Sequence, residues 1–229
     1  MPPKKFPYYP IFLDIENRSV VIIGGGEVCA RKAETMMRYG AVVTIVSPEF
    51  TAEIEQWARD GKLTIRRKRY EASDIEDAHI IIASTDDTTV NEQIAADARA
   101  RRIPVNVVDV THLCEFIVPA IIEKDGIQIA ISTGGKSPAV ARTLKEDLNR
   151  TVGPEYSEVN NLLGSLRDSA KATLPTDVDR KRFFDGIIAQ GVLQMLRDGR
   201  RAEAYRAIAE ACKVAGVDVS EKVRAGLGS

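Results

Sequence analysis

The residues best suited to chemistry begin at Gly24-Gly25-Gly26-Glu27-Val28-Cys29, which follow the β-branched run SVVII (19–23) and open a stretch of helical character. A G-x-G-x-x-G/A turn in that setting seats a dinucleotide. Its first glycine makes the tight turn, and its second lets the backbone approach a pyrophosphate. A small third residue packs helix on strand, and the helix N-terminus faces the phosphates. Cys29 fills the third position and is small enough for it. The plainer reading of the same residues is a glycine-rich turn with no ligand. A ribose-binding acid belongs about 20 residues further on, at the end of the second strand. That strand ends Val46-Ser47-Pro48-Glu49, so Glu49 comes slightly late and the backbone of Pro48 and Glu49 could serve instead. With no arginine at that place to pair a 2′-phosphate, NAD is favoured over NADP.

Two further groups fall where strands end. Ligands of open parallel sheets bind beyond the carboxyl ends of the strands, so Ser84-Thr85-Asp86-Asp87 would border the nicotinamide side. Asp86 or Asp87 would equally serve to cap the following helix. Asp109 closes Val105-Asn106-Val107-Val108-Asp109, where a carboxylate could take a proton from a substrate. An aspartate at a strand end is also a common turn former. His112 could reach the same rim as proton acceptor or transient metal contact, or be a surface turn residue; His79 reads as structural. No cluster has the ligand count or spacing of a resident metal site.

The elements that must position these groups alternate. Strands are expected at 19–23, 41–46, 63–68, 79–83 and 104–108, with helices at 27–39, 52–59 and 88–100 between them. Such alternation with short joins predicts a Rossmann-like parallel α/β sheet. Arg66-Arg67-Lys68-Arg69 puts charge on both faces of the third strand, which suits a solvated edge. After Asp109 the pattern changes to two strands, 116–122 and 127–132, joined by Lys124-Asp125-Gly126 as a hairpin. A helix over 139–149 follows, capped by Ser137 with Pro138 in its first turn; Val140, Leu144 and Leu148 mark its expected buried face. From Pro154 onward the chain reads as helical, with Phe183, Ile187, Ile188, Val192 and Met195 in one stripe and a shorter helix at 202–215. The expected domains are 1–113, 114–150 and 151–229.

The 229 residues are 44% hydrophobic and 28% charged, which argues against disorder. Thirty-two basic residues against thirty-three acidic ones argue against a nucleic-acid partner. No apolar run is long enough for a membrane span, and Pro7, Pro10 and Asp14 interrupt any secretory core. Three scattered cysteines without a CxxC pair fit a reducing cytoplasm. The hairpin and the apolar tail suggest a homodimer, since the 183–195 stripe would otherwise be exposed.

The ordered segments IFLDIENRSVVIIGGGEVCARKAETMMRYGAVVTIVSP, ASTDDTTVN, VNVVD, EFIVPAII and ISTGGKSPAVAR resemble the precorrin-2 dehydrogenase / sirohydrochlorin ferrochelatase family, the N-terminal module of siroheme synthases. The resemblance runs from about residue 10 to residue 142. It departs at Cys29, where alanine is common, and at Thr133, where a serine is common. It implies NAD-dependent oxidation of precorrin-2 to sirohydrochlorin, with Fe²⁺ insertion to give siroheme as a second step in many relatives. The NAD-contacting turn then maps onto Gly24, Gly25, Gly26, Glu27 and Val28, and the second-strand end onto Pro48 and Glu49; Thr85 and Asp86 lie on the nicotinamide side. The aspartate used in both reactions maps onto Asp109. Carboxylates of the tetrapyrrole would be met by Thr133, Gly134, Gly135, Lys136 and Ser137 at a helix N-terminus, helped by Arg142. The chain as given ends without the methyltransferase domain of some siroheme synthases, so it is not expected to make precorrin-2. The alternatives are a dehydrogenase without chelatase activity and a non-catalytic NAD-sensing module.

Overall fold

The computed structural model describes residues 8–227. The chain forms two compact units, one ending at Val118 and the other beginning at Pro119. In the first unit the elements run β1 (Ser19–Ile23), α1 (Glu27–Arg38), β2 (Val42–Ser47), α2 (Ala52–Arg59), β3 (Thr64–Arg67), β4 (Ile80–Ala83), α3 (Thr88–Arg101) and β5 (Val105–Val107). The strands are parallel, in the order β3-β2-β1-β4-β5. This is the doubly wound sheet expected from the alternation. Its strand order reverses beside β1, where such sheets bind ligands.

Strand chemistry explains the layers. Val20 and Ile22 pack with Cys29, Ala30, Ala33 and Met36 of α1, while Val21 and Ile23 pack with Ile94, Ala95 and Ala98 of α3. The central strand β1 is therefore apolar on both faces, as a covered parallel sheet requires. Gly40 at φ +77° ends the α1 connection, and the side chains of Thr51 and Asp87 cap α2 and α3. Val46, Ile23, Ala83 and Val107 stand in register across β2, β1, β4 and β5. The loops leaving these residues form one rim. The basic strand β3 is an edge strand, as its charge suggests. Its charge is not simply solvated, because Arg66, and Lys68 just past the strand, both pair with the buried Asp74, each at 3.1 Å.

In the second unit β6 (Ala120–Lys124) and β7 (Ile127–Ile131) form the antiparallel hairpin, turning at Asp125-Gly126 with Gly126 at φ +82°. Then follow α4 (Pro138–Thr151), α5 (Pro154–Ser165), α6 (Arg167–Thr173), α7 (Asp177–Ala189), α8 (Val192–Arg197), α9 (Arg201–Ala215) and α10 (Glu221–Leu227). Ser157, Asn160 and Asn161 of α5 hold the hairpin turn through Lys124, Gly126 and Asp125.

Three local expectations are corrected. The first hairpin strand begins at Ala120, not 116, because Phe116 instead joins the core beside α1 and its carbonyl accepts from Asn106. Helix α4 has no buried residue, and Val140 and Leu144 are 51% and 43% exposed. Leu148 is half-buried, but among the described residues nothing covers Val140 and Leu144. The 183–195 stripe is broken by Gly191 in the left-handed region, and Ile187 and Val192 are fully buried among Leu166, Ile208 and Cys212. The chain's own helices thus cover much of that stripe and leave Ile188 38% exposed, so the stripe as a whole is not the exposed face expected of it.

Candidate functional site

The glycine turn is built by close backbone approach. Gly24 lies at φ +129°, and a Cβ there would stand 2.6 Å from the Ser84 carbonyl oxygen and 2.7 Å from its Oγ. The Gly24 N–H donates to Val46 at 3.0 Å and the Ser84 N–H to Ile23 at 2.8 Å, so the β1 end is stitched to β2 and β4. A Cβ on Gly25 would lie 1.8 Å from the Glu49 carbonyl oxygen, and the Gly25 carbonyl accepts from Thr51 at 2.9 Å. Both glycines are demanded by the protein's own packing.

Gly26 differs. Its backbone is extended (φ −85°, ψ −173°), it is the N-cap of α1 without a side-chain cap, and a Cβ there would meet nothing within 4 Å. The first α1 bond from this cap runs from Ala30 N–H to Gly26 carbonyl at 3.0 Å. The N–H groups of Glu27, Val28 and Cys29 precede it and lack intrahelical acceptors. Open space, free donors and the positive end of a helix dipole together make a cradle for an anion. Cys29 is fully buried beneath the turn, and burial pushes its thiol up to about 12 despite a hydrogen bond with Ser84. It packs helix on strand, as the third fingerprint position requires.

On the β2 side, Pro48 and Glu49 are exposed, and Glu49 presses its carbonyl against Gly25. An arginine does reach this place, contrary to the expectation from linear sequence. Arg67 stands opposite Ser47 in the β2–β3 register, and its guanidinium donates to the Pro48 carbonyl at 3.4 Å. It also bonds Glu55 at 2.6 Å and stacks over Phe50 at 5.0 Å. The signal was its place as the last residue of a strand beside β2, which only the sheet order makes visible.

On the β4 side, Thr85 Oγ contacts Asn91 Oδ1 at 2.9 Å and accepts from the Asp87 N–H at 3.3 Å. Asp87 is the cap, accepting from Thr89 and Val90 at 2.9 and 3.2 Å, which leaves Asp86 exposed at the rim. Asp109 lies two residues past β5 rather than at its end, exposed and at φ +60°. The Val110 N–H donates to the Val107 carbonyl at 3.2 Å, so Asp109 holds the third position of a turn, where positive φ favours glycine. Asp109 is thus a turn former and a rim carboxylate at once.

Three residues near Asp109 were given no role from sequence. Cys114 Sγ accepts from Val107 N–H at 3.2 Å and lies 3.1 Å from the Val107 carbonyl, while Asn106 reaches Phe116 at 2.9 Å; together they clamp the loop. Burial pushes the Cys114 thiol up, so it remains protonated. Lys32 is half-buried on α1, one turn beyond Val28 and on the same face. Burial and Arg31 pull its ammonium below the usual lysine value, while the Asp109 carboxylate acts in the other direction. His112 and His79 are exposed.

In the second unit, Ser137 caps α4 by accepting from Val140 at 3.2 Å, with Pro138 next, as expected. The preceding loop spends several donors on itself. Gly134 N–H bonds Ser132 at 3.0 Å, Lys136 N–H bonds the Thr133 carbonyl at 3.2 Å, and Ser137 N–H bonds Thr133 Oγ at 3.2 Å. Gly134 and Gly135 both have positive φ, and Gly135, Lys136 and Arg142 are exposed. Among the described residues no group of three or more His, Cys, Asp or Glu could hold a metal ion, and no helix is long and apolar enough to cross a membrane.

Three family profiles match the chain in series: an NAD(P)-binding family over residues 11–120, the sirohaem biosynthesis protein central region over 124–151, and the sirohaem synthase dimerisation region over 155–211. Together the three profiles run along residues 11–211, and two of the three are regions of sirohaem biosynthesis proteins. The siroheme synthase of Psychrobacter cryohalolentis is 40% identical over 86% of this chain and 38% of its own length. That of Edwardsiella ictaluri is 36% identical over 96% of this chain and 48% of its own length. The chain spans less than half the length of these curated relatives. SirC, a precorrin-2 dehydrogenase of known structure, superimposes with a TM-score of 0.69 at 26% identity, covering 89% of this chain and 100% of that one.

Proposed function

We propose that this protein oxidises precorrin-2 to sirohydrochlorin with NAD as cofactor. The observation that carries the reading is the pairing of two features on one sheet rim. Gly26 leaves an open, donor-lined cradle at the α1 N-terminus, and Asp109 is an exposed carboxylate in a strained turn beyond β5. Aspartate is one of the few residues with a side chain that tolerate this turn position, so the turn holds a carboxylate at the rim.

Bound NAD supplies the hydride acceptor. The chain's residues do the rest. The N–H groups of Glu27 and Val28 hold the pyrophosphate at the cradle, with Gly24, Gly25 and Gly26 shaping it. Pro48 and Glu49 bound the ribose, and Thr85 and Asp86 border the nicotinamide side. Asp109 Oδ takes the proton that leaves as the macrocycle loses its hydride, and the Lys32 ammonium stabilises that carboxylate until the proton arrives. In the second unit, taken by itself, the exposed Lys136 and Arg142 are cations suited to carboxylates such as those the substrate carries. The loop of Thr133, Gly134, Gly135 and Ser137 adds the N–H donors it does not use internally.

Residues 1–113, 114–150 and 151–229 serve as cofactor, substrate and dimer-forming, and helical regions. Two copies associate, since the uncovered Val140–Leu144 face of α4 needs a partner and a dimerisation profile covers 155–211. The protein works in the cytoplasm. Fe²⁺ insertion into sirohydrochlorin would use the same carboxylate, with iron as substrate.

The test is anaerobic: precorrin-2 and NAD are mixed with the protein and the macrocycle absorbance is followed, before and after Fe²⁺. Oxidation with wild-type protein and its loss in Asp109→Ala, with NAD still bound, supports the proposal. NAD binding without oxidation would leave a sensing module; a fully active Asp109→Ala would remove Asp109 from the reaction.

A further inference from the structure

We infer that Arg67 and Glu55 set the choice between NAD and NADP in this chain, with Glu55 occupying a guanidinium that would otherwise bind a 2′-phosphate. The inference rests on the proposed dinucleotide site and concerns a pair of residues outside its glycine turn. The fit of a dinucleotide to that turn rests on the empty space at Gly26, which a Cβ would begin to fill.

The position is fixed by register and by backbone contact. Arg67 is the last residue of β3, opposite Ser47 at the end of β2, and one of its Nη atoms donates to the Pro48 carbonyl at 3.4 Å. The chain from Pro48 to Thr51 is pinned to the glycine turn through the Gly25–Thr51 hydrogen bond and the Glu49 carbonyl against Gly25. A guanidinium on Pro48 therefore stands beside the wall where a ribose 2′ substituent is recognised in doubly wound folds.

Arginine is the side chain suited to a phosphate there, because its planar fork offers paired donors and a fixed charge. In this chain that fork is already engaged. Its other Nη bonds Glu55 at 2.6 Å, and its plane is held over the Phe50 ring at 5.0 Å. Glu55 pairs with that charge at 2.6 Å while its other oxygen lies 3.9 Å from Arg59, and the exposed Glu49 on the same wall opposes a second anion. A ribose diol is accepted at this wall; a 2′-phosphate meets two carboxylates and a guanidinium with little left to give. Arg67 and Glu55 are both part-exposed, at 53% and 35% of their side-chain surface, so the pair can exchange partners without unfolding anything.

Equilibrium titration of the full chain with NAD and with NADP tests this by heat of binding, without substrate. Wild-type protein is expected to bind NAD more tightly than NADP. Glu55→Ala, at a half-buried position on α2, should raise NADP affinity relative to NAD by about tenfold, the scale of one freed charge-assisted hydrogen bond to phosphate. Arg67→Ala in the Glu55→Ala background should erase that gain. A ratio unchanged by Glu55→Ala, or a gain that survives Arg67→Ala, overturns the inference while NAD binding itself stands. If wild-type protein binds neither dinucleotide, the proposed cofactor site falls and the inference with it.

Discussion

Replacing Gly26 by Ala separates a ligand cradle from an ordinary glycine turn. The backbone at Gly26 is extended and its Cβ would meet no atom within 4 Å. Alanine is a poorer N-cap than glycine by up to about 1 kcal/mol, whereas loss of glycine's freedom in the unfolded chain returns about 0.4–1 kcal/mol. The fold should change by less than about 1 kcal/mol, a melting shift within about 2–4 °C for a chain of this length. A bound pyrophosphate would meet the new methyl directly. Overpacking of that kind costs about 1–3 kcal/mol, or roughly 5- to 150-fold in NAD affinity. Gly25→Ala is the control: its Cβ would lie 1.8 Å from the Glu49 carbonyl, so stability and binding should fall together. Calorimetric titration with NAD and thermal melts followed by circular dichroism measure both quantities. A Gly26→Ala protein that melts normally and binds NAD with undiminished affinity would refute the assignment of this space to the phosphates.

Other outcomes follow from the same geometry. Asp109→Gly removes a left-handed strain of about 1–2 kcal/mol at a cost of about 0.5–1 kcal/mol in chain entropy. It should melt at or slightly above the wild-type temperature while turnover falls about 10²- to 10⁴-fold, the usual contribution of a general base; normal turnover would contradict the role given to this carboxylate. In the helical unit, burial pushes the Glu155 carboxyl up, but hydrogen bonds from Arg197 and backbone groups bring it to a net value below the usual 4.5. A depressed folded-state value stabilises above the unfolded pKa, and that stability is lost as pH falls through the folded one. Melts should therefore weaken below about pH 4.5, and Arg197→Ala should lower neutral stability and flatten that acid loss; equal acid sensitivity in both proteins would count against the pair. Leu144→Glu on the uncovered face of α4 should leave the melt of a single chain intact but give a monomer by sedimentation at micromolar concentration.

Much of the fold was legible because its signals are local. SVVII before three glycines, AVVTIV before Ser47-Pro48, and helices capped by Thr51, Asp87 and Ser137 each carry their own physical cause within a few residues. Strand ends were less legible. Phe116 is apolar enough for a strand, but its place was decided by a core on α1 and by a hydrogen bond from Asn106, ten residues away. The 183–195 stripe was read as one surface, although Gly191 breaks it and α9 covers part of it. Burial depends on what lies opposite, and a single helical pattern does not contain its neighbour.

The candidate site divides along the same line. Residue types and spacing alone identified the glycine turn, the second-strand end, the Thr85–Asp87 segment and the carboxylate of Asp109. A turn that approaches phosphate needs glycine at its first and third positions, and a strand must end where its loop begins. Only the folded chain decided which glycine guards open space and which two are required by Ser84 and Glu49. It alone brought Arg67 to Pro48, Lys32 into the field of Asp109, and Cys114 back beneath Val107. Parallel sheets place at one rim residues that are twenty or more positions apart, and charge and close approach act through that space rather than along the chain.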